Sequence, residues 1–254
     1  MDIQQIKSAV SRYVAQNAYG QMTLEAAMFD MDGVLFDSMK NHAKSWYATM
    51  MHFGFTDFTE EEAYMHEGRT GAGTINIVKQ RMFGQPATEE EVQEMYRYKS
   101  DRFNALPKPE RMEGALSLVQ QVKESGVVPM IVTGSGQKTL LERVNRNFPS
   151  IFTPELMVTA FDVKYGKPNP EPYLMGMKKY NYNKGLHSKP NCFIVVENAP
   201  LGVQSAVGAG VFTIAVNTGP LDDSILLNEG ANLLFHSMQE LSDWWPRLLA
   251  ELRP

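Results

Sequence analysis

The chain has 254 residues, 43% of them hydrophobic and 21% charged, which suits a soluble globular protein with one large domain or a medium domain carrying an insertion. A formal net charge of −5 without long Lys/Arg runs argues against a nucleic-acid or anionic-membrane partner. Cys192 is the single cysteine, so an intrachain disulfide is excluded, and the lack of a signal-peptide start or membrane-length apolar run makes cytoplasmic the expected location.

In chain order, Ile3, Ile6, Val10, Tyr13 and Val14 fall at helical spacing before "NAYG". Residues 1–23 are therefore expected to be a helical extension packed on the body or on a second subunit. Six short apolar runs follow: "LEAAMFD", "VVPMIVTG", "LMVTAFD", "CFIVVEN", "FTIAVNTG" and "NLLF". Between them lie helical patterns such as "EGALSLVQQVKES", "QKTLLERVNRNF", "EPYLMGMKKYN" and "LGVQSAVGAG". Strand, turn and helix in alternation predict the α/β class, with a Rossmann-like parallel sheet covered on both faces.

Residues 38–107 interrupt that alternation with helical patterns only. "TEEE" occurs there twice, each time as a capping-box pattern. This block reads as an inserted helical cap domain, leaving 24–37 and 108–254 as the core domain. Cys192 is expected to be a small buried hydrophobe, and Trp244 and Trp245 to pack in a C-terminal helix. His52, His187 and His236 show no metal-ligand spacing.

Ligands of such sheets sit at the carboxyl ends of the strands, so Asp30, Asp32, Thr133, Glu197 and Asn198 are expected to converge. A carboxylate cluster there suits a hard divalent cation, with magnesium the expected cofactor. Asp30 and Glu197 would supply charge, Asn198 an amide oxygen and Asp32 its main-chain carbonyl. Residues i and i+2 of an extended segment project to one side, which pairs Asp30 as nucleophile with Asp32 as acid/base. Thr133, Gly134 and Ser135, in "VTGSGQ", offer a hydroxyl and turn N–H groups as a phosphate cradle. Lys167, in "YGKPNPEPY", suits a phosphoryl oxygen as a point charge. Together these parts describe phosphoryl transfer.

"DMDGVLFDS", "IVTGSG", "GKPNPEPY" and "VVENAPLGVQSAVGAG" resemble motifs one to four of the haloacid-dehalogenase-like superfamily, in order, from about residue 24 to the C-terminus. The helical block after motif one resembles the β-phosphoglucomutase-like branch. The resemblance implies an aspartyl-phosphate on Asp30, Asp32 as general acid/base, Thr133 and Lys167 on the phosphoryl group, and magnesium held with Glu197 and Asn198. Asp32 itself argues against dehalogenation, because a halide leaving group needs no proton.

Two departures bear on the substrate. Motif four carries Glu197-Asn198 where two acids are usual, which leaves the metal site more positive. His42 and Trp46 follow the sugar-phosphate mutases, but those carry a lysine just before the glycine in the segment matching "MHEGRTG". Here that residue is Glu67. At about 6 Å and an effective dielectric of about 20, one charge pair is worth roughly 3 kcal/mol. Reversing its sign opposes a sugar phosphate unless a cation intervenes, and pyrophosphate travels as a magnesium complex. "EEAYMHEGRTGAGTINIV" also resembles the cap of the branch's inorganic-pyrophosphatase members.

The expected function is magnesium-dependent hydrolysis of pyrophosphate, with His42, Glu67 and Arg69 reaching the substrate from the cap. The alternatives are a β-phosphoglucomutase or sugar-phosphate phosphatase, and an inactive phosphate-binding module, which the pairing of Asp30 with Asp32 opposes. The expected partner is a small phosphorylated molecule, and the expected state is monomer or homodimer.

Overall fold

The computed structural model describes residues 1–135 and 140–253. Helix α1 (Ile3–Gln16) begins at Asp2, whose carboxylate accepts from the Gln5 N–H at 2.8 Å while Gln5 accepts from the Asp2 N–H at 2.7 Å. Strand β1 (Ala26–Phe29) leads into helices α2 (Met39–His52), α3 (Glu60–Met65), α4 (Gly71–Phe83) and α5 (Glu89–Asn104). The chain then alternates: α6 (Ala115–Glu124), β2 (Val128–Val132), α7 (Leu140–Asn147), β3 (Met157–Val158), α8 (Glu171–Lys184), β4 (Phe193–Glu197), α9 (Pro200–Gly208) and β5 (Phe212–Val216). It ends in α10 (Asp223–Asn228), β6 (Leu233–Phe235) and α11 (Met238–Leu252).

All six apolar runs are strands of one parallel sheet, ordered β3-β2-β1-β4-β5-β6. Phe29 stands opposite Ile131 on one side and Val196 on the other. Strands β1, β4 and β5 are buried throughout, so they read as continuous apolar runs rather than alternating ones. Alternate residues feed two layers. Ala27, Phe29, Ile194 and Val196 face the layer holding α1, α6 and α11. Ala26, Met28, Phe193 and Val195 face Tyr173 and Met177 of α8 and Ala206 of α9. The strand order reverses between β1 and β4, the switch point outside which ligands bind in such sheets.

Helices α2–α5 bury a cluster of their own, including Trp46, Met50, Phe58, Ile75, Val78 and Met95. The chain leaves and re-enters the sheet layer side by side. The Asp37 N–H donates to Glu110 O at 3.0 Å and the Met112 N–H to Leu35 O at 3.0 Å. The two "TEEE" segments differ. Thr88 and Glu91 form the full reciprocal box on α5, whereas on α3 only Thr59 caps, accepting from the Glu62 N–H at 3.0 Å. Glu62 is drawn away by Arg81 (Nη1 2.5 Å) and His66 (3.1 Å).

The extension packs on the body: Ile6, Ala9 and Tyr13 are buried, and Tyr13 donates to Gly210 O at 2.7 Å and meets Phe212 edge-on at 5.3 Å. The expected start of α7 at "QKT" lies outside the described residues. Helix α10, six residues after β5, lacks a periodic signal long enough to anticipate. Among the described residues, no helix is long and apolar enough to cross a membrane.

Candidate active site

Lys167 joins three strand ends. Its Nζ donates to the carboxylate of Asp30 after β1, to Val132 O of β2 at 3.2 Å and to Glu197 Oε1 of β4 at 2.6 Å. Asp30 is itself anchored by its N–H, which donates to Val196 O at 3.0 Å. Burial opposes the ammonium charge of Lys167, but Asp30 and Glu197 outweigh it and hold the pKa well above the ordinary lysine value. Burial pushes Asp30 up to about 7, with the Glu197 and Asp32 charges adding to it and Lys167 opposing.

Asp32 is pulled the other way. Burial would raise it, but His42, Arg143 and Ser38 outweigh that and hold the carboxyl well below its ordinary range. Its Oδ1 accepts from Ser38 Oγ at 2.5 Å and stands 3.6 Å from His42 Nε2 and 3.7 Å from Arg143 Nη2. Lys99 Nζ lies 2.8 Å from His42 Nδ1. An ammonium can only donate, so His42 carries its proton on Nε2, facing Asp32.

A cavity of about 80 Å³ lies between helices α2 and α5 and the sheet ends. Asp32, His42, Glu67, Arg69, Gly134 and Ser135 all line it, with Lys99 and Arg143. The segment around Gly68 is seated on the sheet ends: a Cβ built on Gly68 would lie 3.0 Å from Lys167 Cδ, and one on Gly134 would lie 3.4 Å from Gly68 O. Burial and then the charges of Asp32 and Asp30 push Glu67 up to about 8, with Lys99 and Lys167 opposing. Glu67 lines the cavity with Asp32 and is partly accessible there. Arg69 Nε is buried without a hydrogen-bond partner. Thr133 is buried, faces a smaller void with Gly68 and Lys167, and accepts from the Ser135 N–H at 3.0 Å.

The residues present suit a hard cation in part. Asn198 Oδ1 is buried with no partner, and Asp32 lines the cavity with Glu67. Gly33, at φ +86°, permits the approach of Asn198, since a Cβ there would lie 2.1 Å from Asn198 Nδ2. Glu197, expected as a ligand, is engaged by four protein donors. Its Oε1 accepts from Lys167 and Tyr173, and its Oε2 from the N–H groups of Asn198 (2.9 Å) and Ala199 (3.1 Å). Among the described residues no three His, Cys, Asp or Glu side chains converge as a metal site, so an ion here would draw on amide and main-chain oxygens.

Sequence reasoning missed Lys99, Arg143 and Tyr173. Lys99 had a readable signal, because it occupies the buried stripe Met95–Lys99–Phe103 of α5, where a lysine at i+4 spacing is out of place.

The sequence pattern of the haloacid dehalogenase-like hydrolases matches residues 27–216. The chain belongs to that family. It is 29% identical over 226 residues to hexitol phosphatase A of Escherichia coli, covering 87% of this chain and 94% of that one. To 2-deoxyglucose-6-phosphate phosphatase 1 of Saccharomyces cerevisiae it is 24% identical over 236 residues, covering 87% and 91%. A solved structure from Bacteroides vulgatus, provisionally assigned as a β-phosphoglucomutase, is 57% identical, covers 100% of both chains and superposes with a TM-score of 0.94.

Proposed function

We propose that this family member is a magnesium-dependent phosphohydrolase working through an aspartyl-phosphate on Asp30, with pyrophosphate as its substrate and residues 38–107 as a cap over the site. The observation that carries the pyrophosphate reading is Glu67. Pushed up to about 8, Glu67 stays largely protonated near pH 7 in metal-free protein and offers a bare distal phosphate no countercharge, whereas a cation arriving with the phosphate favours its ionised form and gains it as a ligand.

Magnesium, held by Asp30, the Asp32 carbonyl and Asn198, would supply charge neutralisation at the phosphoryl oxygens. Lys167, fixed between Asp30 and Glu197, orients Asp30 and offers its charge to the phosphoryl group. A bond forms from Asp30 Oδ to phosphorus as the bridging P–O bond breaks. Asp32, held ionised beside His42 and Arg143, accepts a proton from the water that then releases Asp30. A phosphate leaving group departs as a stable anion and needs a proton less than a sugar alkoxide does. The cap contacts around Gly68 exclude water while Asp30 attacks.

A second reading, hydrolysis or mutase transfer on a phosphorylated sugar or polyol, is favoured by the relatives, whose names specify such substrates. The comparisons support it better than they support pyrophosphate. His42 and Trp46 fit either reading.

The deciding assay measures phosphate release with and without magnesium from pyrophosphate, glucose 1-phosphate and a panel of hexose and hexitol phosphates, with Asp30→Asn as the blank. Pyrophosphate should be turned over fastest, and Glu67→Ala should remove that preference. Faster release from a hexitol or hexose phosphate, or conversion of β-glucose 1-phosphate to glucose 6-phosphate, establishes the second reading instead.

A further inference from the structure

We infer that Tyr173 is a positioning residue for Lys167, acting through Glu197. The inference rests on the proposed phosphoryl chemistry of Lys167. Tyr173 stands in the first turn of α8, behind the proline-rich loop that carries Lys167, and is fully buried in the layer beneath β1 and β4. Its hydroxyl donates to Glu197 Oε1 at 2.8 Å, the same oxygen that receives Lys167 Nζ at 2.6 Å. The ammonium lies 5.2 Å from the centroid of the tyrosine ring.

With the two main-chain donors on Oε2, Glu197 has four hydrogen bonds and is held on Lys167. A carboxylate offers about four lone-pair sites, so this one has none left for a cation. Packing in this layer asks only for an aromatic ring, since the neighbours Met28, Val132 and Val195 are apolar. The hydroxyl is therefore present for Glu197. Tyr173 fixes the carboxylate, the carboxylate fixes the ammonium, and the ammonium stays at the junction of β1, β2 and β4 where Asp30 attacks. Burial, the Glu197 charge and the Glu197 hydrogen bond keep the phenol well above its ordinary pKa, so it remains a donor.

Tyr173→Phe keeps the ring and removes only the donor. A lost hydrogen bond to a charged group should lower kcat about ten-fold. KM and the magnesium dissociation constant from calorimetry should stay within about two-fold of wild type, with thermal unfolding little changed. An unchanged kcat overturns the inference. So does magnesium binding weakened about ten-fold, which would make Glu197 a metal ligand that Tyr173 merely orients. Wild-type crystals soaked in manganese give a second test that needs no variant. The anomalous peak should lie within coordination distance of Asn198 Oδ1 and not of Glu197, and a bond to Glu197 overturns the inference. If wild type releases phosphate from no substrate, the proposed function fails by itself, and the calorimetry and manganese site still decide the place of Glu197.

Discussion

At the scale of single residues, the site sets neighbouring carboxyls to different tasks by environment. Asp32, beside His42 and Arg143, is held ionised, while burial, and then the Asp32 and Asp30 charges, push Glu67 up to about 8. The folded chain therefore binds more protons at Glu67 than the unfolded chain does between pH 4.5 and 8. Stability falls as pH rises through that window. In metal-free protein, Glu67→Gln should change stability little near pH 5. Near pH 8 it should stabilise by on the order of 1–2 kcal/mol, discounted for the partial exposure of the side chain. Urea unfolding at the two pH values measures this, and adding magnesium at pH 8 should stabilise wild type more than the variant. On the proposed chemistry, Asp30→Asn should lower phosphate release by at least about 1000-fold with the fold retained, because the proposed nucleophile is removed.

At the scale of elements, short sequence devices hold the site's supports. The capping box of α5 joins Thr88 and Glu91, and α5 carries Lys99 to His42. Thr88→Ala should lower stability by about 1 kcal/mol, read from the urea midpoint. On α3, Glu62 serves Arg81 of α4 and His66 instead of the cap. Gly202 in α9 allows Glu197 its place, because a Cβ there would lie 1.9 Å from Glu197 Oε1. Gly202→Ala should displace that carboxylate from Lys167 and remove most activity, with secondary structure by circular dichroism unchanged.

At the scale of the whole molecule, the parallel sheet gathers residues far apart in the chain. Asp30, Lys167 and Glu197 meet because β1 and β4 are neighbours at the switch point. The N-terminal helix belongs to the same layer as α6 and α11 and shields Phe212. Ile6→Ala, which opens a cavity in that layer, should cost about 2–4 kcal/mol, visible as an earlier thermal transition without loss of specific activity.

The α/β class, the six strands, the helical insertion and Asp30, Asp32, Thr133, Lys167 and Asn198 as candidates were legible in the chain alone. Apolar runs ended by polar residues report burial on both sheet faces, and that is a local signal. Tertiary structure decided what those residues meet. That Glu197 is occupied by Lys167, Tyr173 and two main-chain donors depends on α8 and β4 packing together. That Lys99 reaches His42, and that Glu67 lines one cavity with Asp32, depends on how the helical block sits over the sheet. Hydrogen-bond partners and charge interactions are set by distances between segments remote in sequence, which no local spacing of residue types specifies.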